Sequence, residues 1–351
     1  MFNYNNPIVQ KDLEEISCAP LPWFKLEKKC FLVTGANGMI ATYLIYTLMY
    51  HIRKSGIDIK VIALSRNKKR AEELFSNFFD DPHFIFLEQD VCDPVIYRGK
   101  VDYIFHFAGN ASPYYIKHDP VGIMRSNLIG TLNVLELARW QEVEKVVFAS
   151  TREVYGKNEN ETVLAETSFG YIDCLDNRSC YPESKRAAEA LCKSYYLQYN
   201  VNFNTVRIAH TYGPGMKLSN DGRVMADLIS CTVAGQDIVL KSTGEALRAF
   251  CYVTDTVIGL FQILLYGGEA EAYNLANERE EISIRNLAEM IMLLQPVRNL
   301  KVVYQIPEVQ SAVYCNYQRV KLDVKKLENI GWYPLVGLQE GLQRTLNSFV
   351  L

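Results

Sequence analysis

A tyrosine and a lysine four residues apart, Tyr181 and Lys185, are the side chains of this sequence best suited to acid–base chemistry. If residues 181–199 form a helix, the two side chains share one face. The ammonium group can then lower the pKa of the phenol and make Tyr181 a usable base near neutral pH. A Tyr-x-x-x-Lys pair alone is a weak signal. Here it follows a Ser-Thr segment at 150–156 and a glycine loop at 34–41, and that order makes it strong.

The glycine loop has the sequence context of a dinucleotide-binding turn. Gly35 and Gly38 follow the apolar run 31–33 and open a helix whose apolar residues recur at every fourth position up to Ile52. Glycines let backbone N–H groups approach a pyrophosphate, and the helix N-terminus stabilises its charge. The alternative is a strand–helix turn without a ligand. The residues predicted to bind a tightly held NAD(P) in this loop are Gly35, Asn37, Gly38, Met39 and Ile40.

The ends of the next three predicted strands supply further cofactor contacts. Ser65 and Arg66 stand where an acidic residue would bond the ribose 2′-hydroxyl of NAD, and they could accept the 2′-phosphate of NADP instead. The sequence therefore favours NADP over NAD, unless Arg66 is a solvated member of the basic run 66–70. The other predicted contacts are Asp90 and Val91 near the adenine, and Ala108 and Gly109, where small residues permit close approach.

The remaining pattern predicts an α/β protein with a Rossmann-type, doubly wound parallel sheet and a smaller C-terminal α/β lobe. Strand-like apolar runs alternate with helical patterns until the turn-rich segment 212–215. We expect an N-terminal extension at 1–29, a dinucleotide-binding domain at 30–209 and a mainly substrate-binding lobe at 210–351, with 246–266 returning to the first domain. Predicted strands are 30–34, 59–65, 84–88, 101–107, 145–150 and one near 203–209, and later helices are expected at 284–294 and 337–349.

Composition narrows the class of protein. The 351 residues carry a net charge of −3, which gives no support for nucleic-acid binding. Nine unclustered cysteines fit a reducing cytosol better than a disulfide framework, and the histidines show no metal-ligand spacing. The first residues lack the basic and apolar regions of a signal peptide, and no apolar stretch reaches the about 18 residues of a membrane span. We expect a cytoplasmic protein without a metal ion or a membrane contact.

Seven motifs, taken in order, resemble the extended short-chain dehydrogenase/reductase family and its NAD-dependent epimerases and dehydratases. They are TGANGMIA, DV, AGNASP, SNLIGT, STREVYG, YPESK and TYGPG, and the resemblance covers roughly residues 30–345. Within that family the sequence is most similar to UDP-glucuronate decarboxylases. The segments that carry this second resemblance are 111–113, 178–181, 220–224, 247–250 and 331–334.

The resemblance implies an enzyme that acts on a nucleotide-diphosphate sugar and begins by oxidising C4. Tyr181 would take the proton of the C4 hydroxyl while the C4 hydride passes to the nicotinamide. Lys185 would support the phenolate and hold the nicotinamide ribose. Thr151 would bond the same sugar hydroxyl, and Asn127 would help to order the site.

The resemblance also implies how the substrate is held and how two chains pair. Ser112 lies in one of the matching segments, and Arg223 and Arg248 match positions that grip the nucleotide diphosphate. Helices at about 120–140 and 181–199 would pair across a two-fold axis into a four-helix bundle, so a homodimer is expected.

Two residues depart from the family pattern. Arg152 stands where 4,6-dehydratases carry an aspartic acid that protonates the leaving C6 hydroxyl, and an arginine cannot deliver that proton. Arg152 could bind a substrate carboxylate or form an ion pair with Glu153 or another acid. Glu153 remains, and a carboxylate beside C5 can serve as a base or orient a water, although it could equally be a structural ion-pair partner. His210 replaces the asparagine usual before Thr-Tyr-Gly-Pro, so substrate contacts there could differ.

Together these features favour an NAD(P)-dependent nucleotide-sugar enzyme of the epimerase/decarboxylase type, with both outcomes open. One alternative is a C4 dehydrogenase that releases the keto-sugar, and another is a 4,6-dehydratase, which Arg152 disfavours. A third is a non-catalytic, cofactor-sensing protein of the same fold. The full-size second lobe argues against a simple reductase of small carbonyl compounds.

Overall fold

Strands and helices alternate along most of the chain. The computed structural model describes residues 2–158, 161–219, 221–295, 298–306 and 320–350, so residue 220 of the segment 220–224 lies outside the described residues. The strands are β1 (Cys30–Thr34), β2 (Lys60–Ser65), β3 (Phe84–Glu88), β4 (Tyr103–His106), β5 (Lys145–Thr151), β6 (Val163–Leu164), β7 (Phe203–Ile208), β8 (Thr211–Tyr212), β9 (Ile238–Leu240), β10 (Leu247–Ala249), β11 (Cys251–Tyr252), β12 (Glu271–Leu275), β13 (Glu281–Ser283), β14 (Val302–Tyr304) and β15 (Lys321–Leu322). The helices are α1 (Pro7–Ser17), α2 (Met39–Ser55), α3 (Lys68–Phe75), α4 (Pro113–His118), α5 (Pro120–Trp140), α6 (Cys180–Tyr199), α7 (Val224–Val233), α8 (Val253–Tyr266), α9 (Ile284–Leu293), α10 (Lys325–Glu328) and α11 (Leu338–Val350), with 3₁₀ helices at Trp23–Leu26 and Arg152–Tyr155.

Seven strands form one parallel sheet in the order β12-β7-β5-β4-β1-β2-β3. The central strand β1 is buried along its whole length, and its successive side chains pack on opposite faces of the sheet. Phe31 and Val33 join one core cluster, and Leu32 joins the other. The strand order reverses between β1 and β4, so the carboxyl ends of these strands border a crevice where open α/β sheets bind ligands.

Helices cover both faces of this sheet. On one face α2 packs beside α1 and α8, and on the other α5 packs against α6. The α2 helix ends at Gly56, whose φ of +68° is the left-handed conformation that commonly closes a helix. None of the described helices is both long and apolar enough to cross a membrane. The predicted class, a doubly wound parallel α/β sheet, is confirmed.

Beyond β8 the chain builds a smaller lobe and then returns to the large sheet. In the lobe β9 pairs with β14 and β10 with β13, and α7 packs against α9, β9 and α11. The α8 helix packs on β5 and β7, and β12 adds an edge strand beside β7. The sequence analysis did not predict the strand β12.

A buried carboxylate anchors the N-terminal segment to both parts of the protein. The α1 helix packs against α2, α8 and α11. Its Asp12 is fully buried and accepts hydrogen bonds from the hydroxyls of Tyr43 on α2, at 2.7 Å, and Tyr252 on β11, at 2.9 Å. Arg344 on α11 donates to Asp12 at 2.9 Å and to Glu15 at 2.6 Å. These five residues are called the Asp12 cluster below.

Candidate active site

The carboxyl end of β5 and the first turn of α6 bring two predicted catalytic residues together. Thr151 ends β5, Tyr181 lies at the start of α6, and both side chains are buried. The Thr151 side chain lies close enough to the Tyr181 phenol to lower its pKa. Its hydroxyl oxygen also accepts the Glu153 N–H at 3.3 Å, which caps the 3₁₀ helix that follows. Thr151 is therefore a helix cap and a neighbour of Tyr181 at the same time.

The charges around Tyr181 act on its phenol in opposite directions. Burial raises the pKa of Tyr181 well above the ordinary value, and the Glu153 carboxylate raises it further. The Thr151 side chain and the positive charges of Arg223 and Arg178 lower the pKa. Burial is the strongest of these influences, so the phenol keeps its proton in the chain by itself.

Lys185 lies one helical turn after Tyr181, but its ammonium group binds the main chain. Its Nζ donates to the Ala149 carbonyl at 2.7 Å and lies 4.7 Å from the centroid of the Phe148 ring. Burial lowers the pKa of Lys185 to about 8. That this ammonium lowers the pKa of Tyr181 stays a prediction, since burial is the largest influence on the phenol and the ammonium donates to Ala149.

Glu153 is paired with an arginine that the sequence analysis did not select as a site residue. Arg178 Nη2 lies 3.3 Å from each carboxylate oxygen of Glu153. Arg178 sits in the turn before α6, where its carbonyl accepts the Tyr181 N–H. The Glu153 side chain is nevertheless 37% exposed, so the carboxylate is held and accessible at once. The sequence signals for Arg178 were its position three residues before Tyr181 and its place in the segment 178–181, but the pair with Glu153 joins two separate turns.

Arg223 is fixed by a carboxylate of its own segment. Its Nε and Nη2 donate to the two carboxylate oxygens of Asp221 at 2.5 and 2.8 Å, and Asp221 is buried. The Asp221 carbonyl in turn accepts the buried Ser112 hydroxyl at 2.7 Å. The charge of Arg223 reaches the Tyr181 phenol, so this segment borders the same site. The Ser112 hydroxyl thus fixes the segment that carries Arg223.

The other predicted substrate-binding residues make contacts that involve the backbone. Arg152 Nη2 donates to the Val320 carbonyl at 3.4 Å, and Arg248 Nη1 donates to the Leu247 carbonyl at 2.7 Å. His210 has a φ of +48°, a left-handed conformation in which asparagine, aspartate and histidine are enriched among non-glycine residues. This backbone requirement explains how a histidine can occupy a position where the family has asparagine.

The glycine loop fits a dinucleotide pyrophosphate. Gly35 has a φ of +67°, and a Cβ there would lie 2.6 Å from the Phe107 carbonyl oxygen, so only glycine is accommodated. Gly38 precedes α2, and no side chain caps this helix. Met39 and Ile40 are the first residues of α2. Uncapped N–H groups at a helix N-terminus are the donors that a pyrophosphate requires.

At the predicted adenosine end, the residues of two strand ends contact each other. Arg66 Nη1 donates to Asp90 Oδ2 at 3.2 Å, and the Arg66 side chain is 76% exposed. The Ser65 hydroxyl oxygen accepts the Asn67 N–H at 3.4 Å, and the Asn67 carbonyl accepts from Asn37 Nδ2 at 2.8 Å. The predicted cofactor residues of the glycine loop, of the end of β2 and of the segment after β3 therefore lie along one continuous edge of the crevice.

At the other end of the crevice, Gly109 and Asn127 form a close-fitting cradle. Gly109 has a φ of +152°, and a Cβ there would lie 2.5 Å from Asn127 Oδ1 and 3.4 Å from Lys185 Nζ. Asn127 is fully buried, and its Nδ2 donates to Ser184 Oγ at 2.9 Å, whereas its Oδ1 has no partner among the described residues. The residues present fit a nicotinamide dinucleotide. The remaining predicted cofactor residues, both buried, are Val91 and Ala108.

Known proteins are similar to this chain over most of its length. Residues 31–276 match the model of the NAD dependent epimerase/dehydratase family. The chain is 33% identical to UDP-glucuronic acid decarboxylase 6 of Arabidopsis thaliana over 322 residues, which cover 91% of this chain and 88% of that protein. It is 34% identical to UDP-glucuronic acid decarboxylase 1 of Xenopus tropicalis over 325 residues, which cover 92% of this chain and 72% of that protein.

Solved structures share the fold at lower identity. UDP-glucose 4-epimerase of Thermotoga maritima superposes with a TM-score of 0.77 at 24% identity, covering 92% of this chain and 98% of that one. A dTDP-glucose 4,6-dehydratase of Streptomyces venezuelae, solved with NAD bound, also gives a TM-score of 0.77, at 22% identity, and covers 92% of this chain and 97% of that one. By its glycine loop, its Thr151–Tyr181 geometry and the family match, this chain belongs to the NAD-dependent epimerase/dehydratase family.

Proposed function

We propose that this chain is an NAD(P)-dependent enzyme that oxidises C4 of a nucleotide-activated sugar and then releases the C5 carboxylate as carbon dioxide. The observation that carries the proposal is the buried Tyr181 phenol, which lies near Thr151 at the crevice that the glycine loop also borders. The two decarboxylases named above are similar over more than nine tenths of this chain, which supports a uronate as the substrate.

In this proposal Tyr181 takes the proton of the sugar C4 hydroxyl. Thr151 can bond the same oxygen, because its side chain lies close to the phenol. Burial raises the pKa of Tyr181, so the phenolate needs positive charge nearby to form. Arg178 and Arg223 provide part of that charge from the protein side.

A bound nicotinamide would supply the hydride acceptor and a further positive charge. Gly35 and Gly38 would hold its pyrophosphate at the start of α2. Lys185 and Asn127 would hold the nicotinamide end, since both line the cradle at Gly109. The Lys185 ammonium donates to the Ala149 carbonyl at 2.7 Å and has two further N–H donors that could reach a ribose hydroxyl.

The nature of residue 152 supports decarboxylation over dehydration. Loss of the C5 carboxylate needs no acid from the protein, because the 4-keto group stabilises the electrons left at C5. Arg152 occupies the place of the acid that a dehydratase uses, and its guanidinium is suited to a carboxylate. The residues proposed to complete the substrate site are Ser112, His210, Arg223 and Arg248, the last two at the diphosphate.

Epimerisation is the second candidate, and Glu153 favours it. The carboxylate lies beside Tyr181, acts electrostatically on its phenol and remains 37% exposed. Such a carboxylate can remove a proton from a carbon that a neighbouring keto group has acidified. Its ion pair with Arg178 would fix the direction from which it attacks.

Incubation with a panel of nucleotide sugars, followed by mass spectrometry and NMR, separates these outcomes. We expect a uronate to lose carbon dioxide and a neutral hexose to keep its C6 oxygen. The Arg152→Ala variant should raise KM for the uronate far more than for a neutral hexose, and Arg98→Ala at an exposed position before β4 should change neither. An unchanged mass with altered stereochemistry would replace decarboxylation by epimerisation. A product lighter by one water would restore the dehydratase.

We further propose that NADP is preferred over NAD. Ser65 and Arg66 support this, because the Arg66 guanidinium is largely exposed and lies at the strand end where a 2′-phosphate would sit. Calorimetric titration should show that Arg66→Ala weakens NADP binding about tenfold, or about 1.4 kcal/mol, without affecting NAD. Arg70→Ala is the control, since Arg70 belongs to the same basic run but pairs with Glu73. Tighter binding of NAD that is insensitive to Arg66→Ala would contradict the preference.

We also propose a homodimer through α5 and α6. Val121, Met124 and Leu132 lie on one side of α5 and are 68%, 40% and 40% exposed. An apolar stripe of this kind on a long helix is suited to a partner of the same chain. Light scattering should give twice the 40.1 kDa of one chain, and a Met124→Glu, Leu132→Glu double variant should give the monomer. A monomeric wild-type protein at micromolar concentration would rule the dimer out.

A further inference from the structure

A line of buried hydrogen bonds runs from β1 through β4 to α5. Thr34 Oγ1 lies 2.7 Å from His106 Nδ1, and His106 Nε2 lies 3.1 Å from Thr131 Oγ1. Thr131 Oγ1 lies 2.5 Å from the Asn127 carbonyl oxygen. All four residues are at most 1% exposed, so these groups must satisfy one another. The sequence analysis gave His106 no role.

The direction of every bond in this line follows from its two ends. The Asn127 carbonyl can only accept, so Thr131 donates its one hydroxyl proton to it. The Thr131 oxygen must then accept from His106, which places a proton on Nε2. A neutral imidazole has one N–H, so Nδ1 is bare and accepts the Thr34 hydroxyl proton.

The Thr34 oxygen completes the line on the cofactor side. It accepts the backbone N–H groups of Phe107 and Ala108, each at 3.2 Å. A second proton on His106 Nδ1 would therefore face an oxygen whose acceptor positions are already filled. Burial, together with the charge of Lys185, lowers the pKa of His106 to about 3, so the ring stays neutral.

Both ends of the line reach the proposed active site. At one end Thr34 holds the 107–108 backbone, against which Gly35 packs so closely that a Cβ would lie 2.6 Å from the Phe107 oxygen. At the other end Asn127 Nδ2 donates to Ser184 Oγ on the catalytic helix α6, and Asn127 Oδ1 faces Gly109.

We propose that His106 is a positioning residue whose neutral Nε2–H tautomer couples the cofactor loop to Asn127 and the catalytic helix. Reversing or breaking any bond of the line leaves a buried polar group unpaired at one of its ends. The ring therefore sets the glycine loop and the Asn127 cradle together. Only the catalytic consequence of this inference rests on the proposed function, because the tautomer and the cofactor affinity are measured without a sugar.

The first test needs no variant. Long-range ¹⁵N–¹H NMR of the ¹⁵N-histidine-labelled protein should show one His106 tautomer, protonated on Nε2 and bare on Nδ1. Its signals should not change between pH 5 and 9, a window chosen to span the ordinary histidine pKa of about 6.5. A ring that titrates in this window, or one protonated on Nδ1, would overturn the inference.

The second test compares two buried histidines replaced by phenylalanine. His106→Phe leaves Thr34 and Thr131 without their partner, so calorimetric titration should show cofactor affinity reduced about tenfold, or about 1.4 kcal/mol. His51→Phe is the matched control. Its ring is also buried, packs 4.1 Å from the Trp23 ring, and its Nε2 has no partner among the described residues. It should leave cofactor affinity unchanged.

With a confirmed sugar substrate, His106→Phe should lower kcat more than it raises KM, because the sugar contacts lie elsewhere. Unchanged cofactor affinity in a folded His106→Phe protein would reject the positioning role. An equal loss in His51→Phe would also reject it, since the effect would then be a general one of the fold. If His106→Phe does not fold, the tautomer measurement on the wild-type protein decides the question.

Discussion

The Asp12 cluster and the Tyr181 site use the same three kinds of side chain, a tyrosine, a carboxylate and an arginine, in different ways. In the Asp12 cluster both oxygens of a fully buried carboxylate are engaged: Tyr43 and Tyr252 donate to one and Arg344 to the other. Each group in this cluster has a direct partner of complementary chemistry. Such an arrangement is rigid and has no capacity left for a ligand.

At the Tyr181 site the same groups are kept apart. The phenol lies near the Thr151 side chain, and the carboxylate of Glu153 is paired with Arg178 at 3.3 Å and stays partly exposed. The charges therefore act on the phenol over a distance and do not pair with its oxygen directly. Incomplete pairing of these groups, more than their residue types, therefore distinguishes the chemical site at Tyr181 from the structural Asp12 cluster.

Removing one tyrosine hydroxyl from each site should have the largest and most different effects. Tyr181→Phe should reduce turnover about 10²–10⁴-fold, because it deletes the general base, and should leave the thermal midpoint and cofactor binding unchanged. Tyr43→Phe should keep turnover and lower the free energy of unfolding, because Asp12 loses a donor. Steady-state kinetics and thermal unfolding of both variants give the answer. Near wild-type turnover in Tyr181→Phe would remove Tyr181 from the chemistry.

A second variant tests whether the Asp12 cluster is structural. Arg344→Met removes the cation that faces Asp12 and Glu15 and leaves buried negative charge behind. The free energy of unfolding should fall by about 3 kcal/mol, the lower end for a broken buried ion pair, since two tyrosines still donate to Asp12. Urea unfolding monitored by circular dichroism measures it. The control Arg98→Met at an exposed position should change stability little, and an equal loss there would show that the cluster has no special role.

The stability of the folded chain should depend on pH through the Asp12 carboxyl. Burial raises the pKa of Asp12 from 3.8 to about 6, although bonds from Tyr43, Tyr252 and Arg344 oppose the shift. The folded chain thus binds this proton more tightly than the unfolded chain. The stability that Asp12 contributes is complete below about pH 4 and is lost as the pH rises through about 6.

Asp12→Asn should remove this dependence, because the amide does not titrate. As the pH rises from 4 to 7, the unfolding free energy of the wild-type protein should fall by about 2 kcal/mol relative to that of the variant. Asp255, whose pKa burial also raises to about 6, is present in both proteins and cancels from the difference. Urea unfolding at a series of pH values is the measurement, and parallel curves for the two proteins would contradict the assignment.

The smallest expected effect concerns Glu153. Its charge raises the pKa of Tyr181, so Glu153→Gln should lower that pKa. A base must lose its proton to act, so the acidic limb of the kcat/KM profile should move to lower pH. The shift should be about half a pH unit, since a partly exposed charge contributes less than the about 1.4 kcal/mol of one unit. A limb that moves to higher pH would show that the carboxylate acts through another group.

The sheet could be read from the sequence because its central strands are continuous apolar runs with turns between them. The run at 30–34 matches β1, and the run at 84–88 matches β3. The strand β12 was missed because Glu271–Leu275 is mixed in polarity and joins the sheet only once α8 has returned the chain to β7. Its place is a consequence of tertiary packing.

In the site, the order of the glycine loop, the Ser-Thr segment and the Tyr-x-x-x-Lys pair predicted the glycine loop and Tyr181, and the family resemblance predicted the role of Thr151. Arg178 and Asp221 lie in segments that resemble the decarboxylases but were not predicted as site residues, and His106 was given no role. Their partners are joined by contacts between turns, or across a buried layer, that no local period encodes. The electrostatic balance at Tyr181 escaped notice for the same reason, since burial outweighs the neighbouring charges.

The Asp12 cluster has a consequence for how the protein can move. Tyr43 belongs to the helix that follows the glycine loop, whereas Arg344 belongs to the terminal helix that packs on α7 of the smaller lobe. One carboxylate bonds to both, so a hinge opening on this side would have to break buried hydrogen bonds and expose an ion pair. Entry and release of a sugar are therefore expected to occur by displacement of individual loops, on a framework whose two parts keep a constant angle.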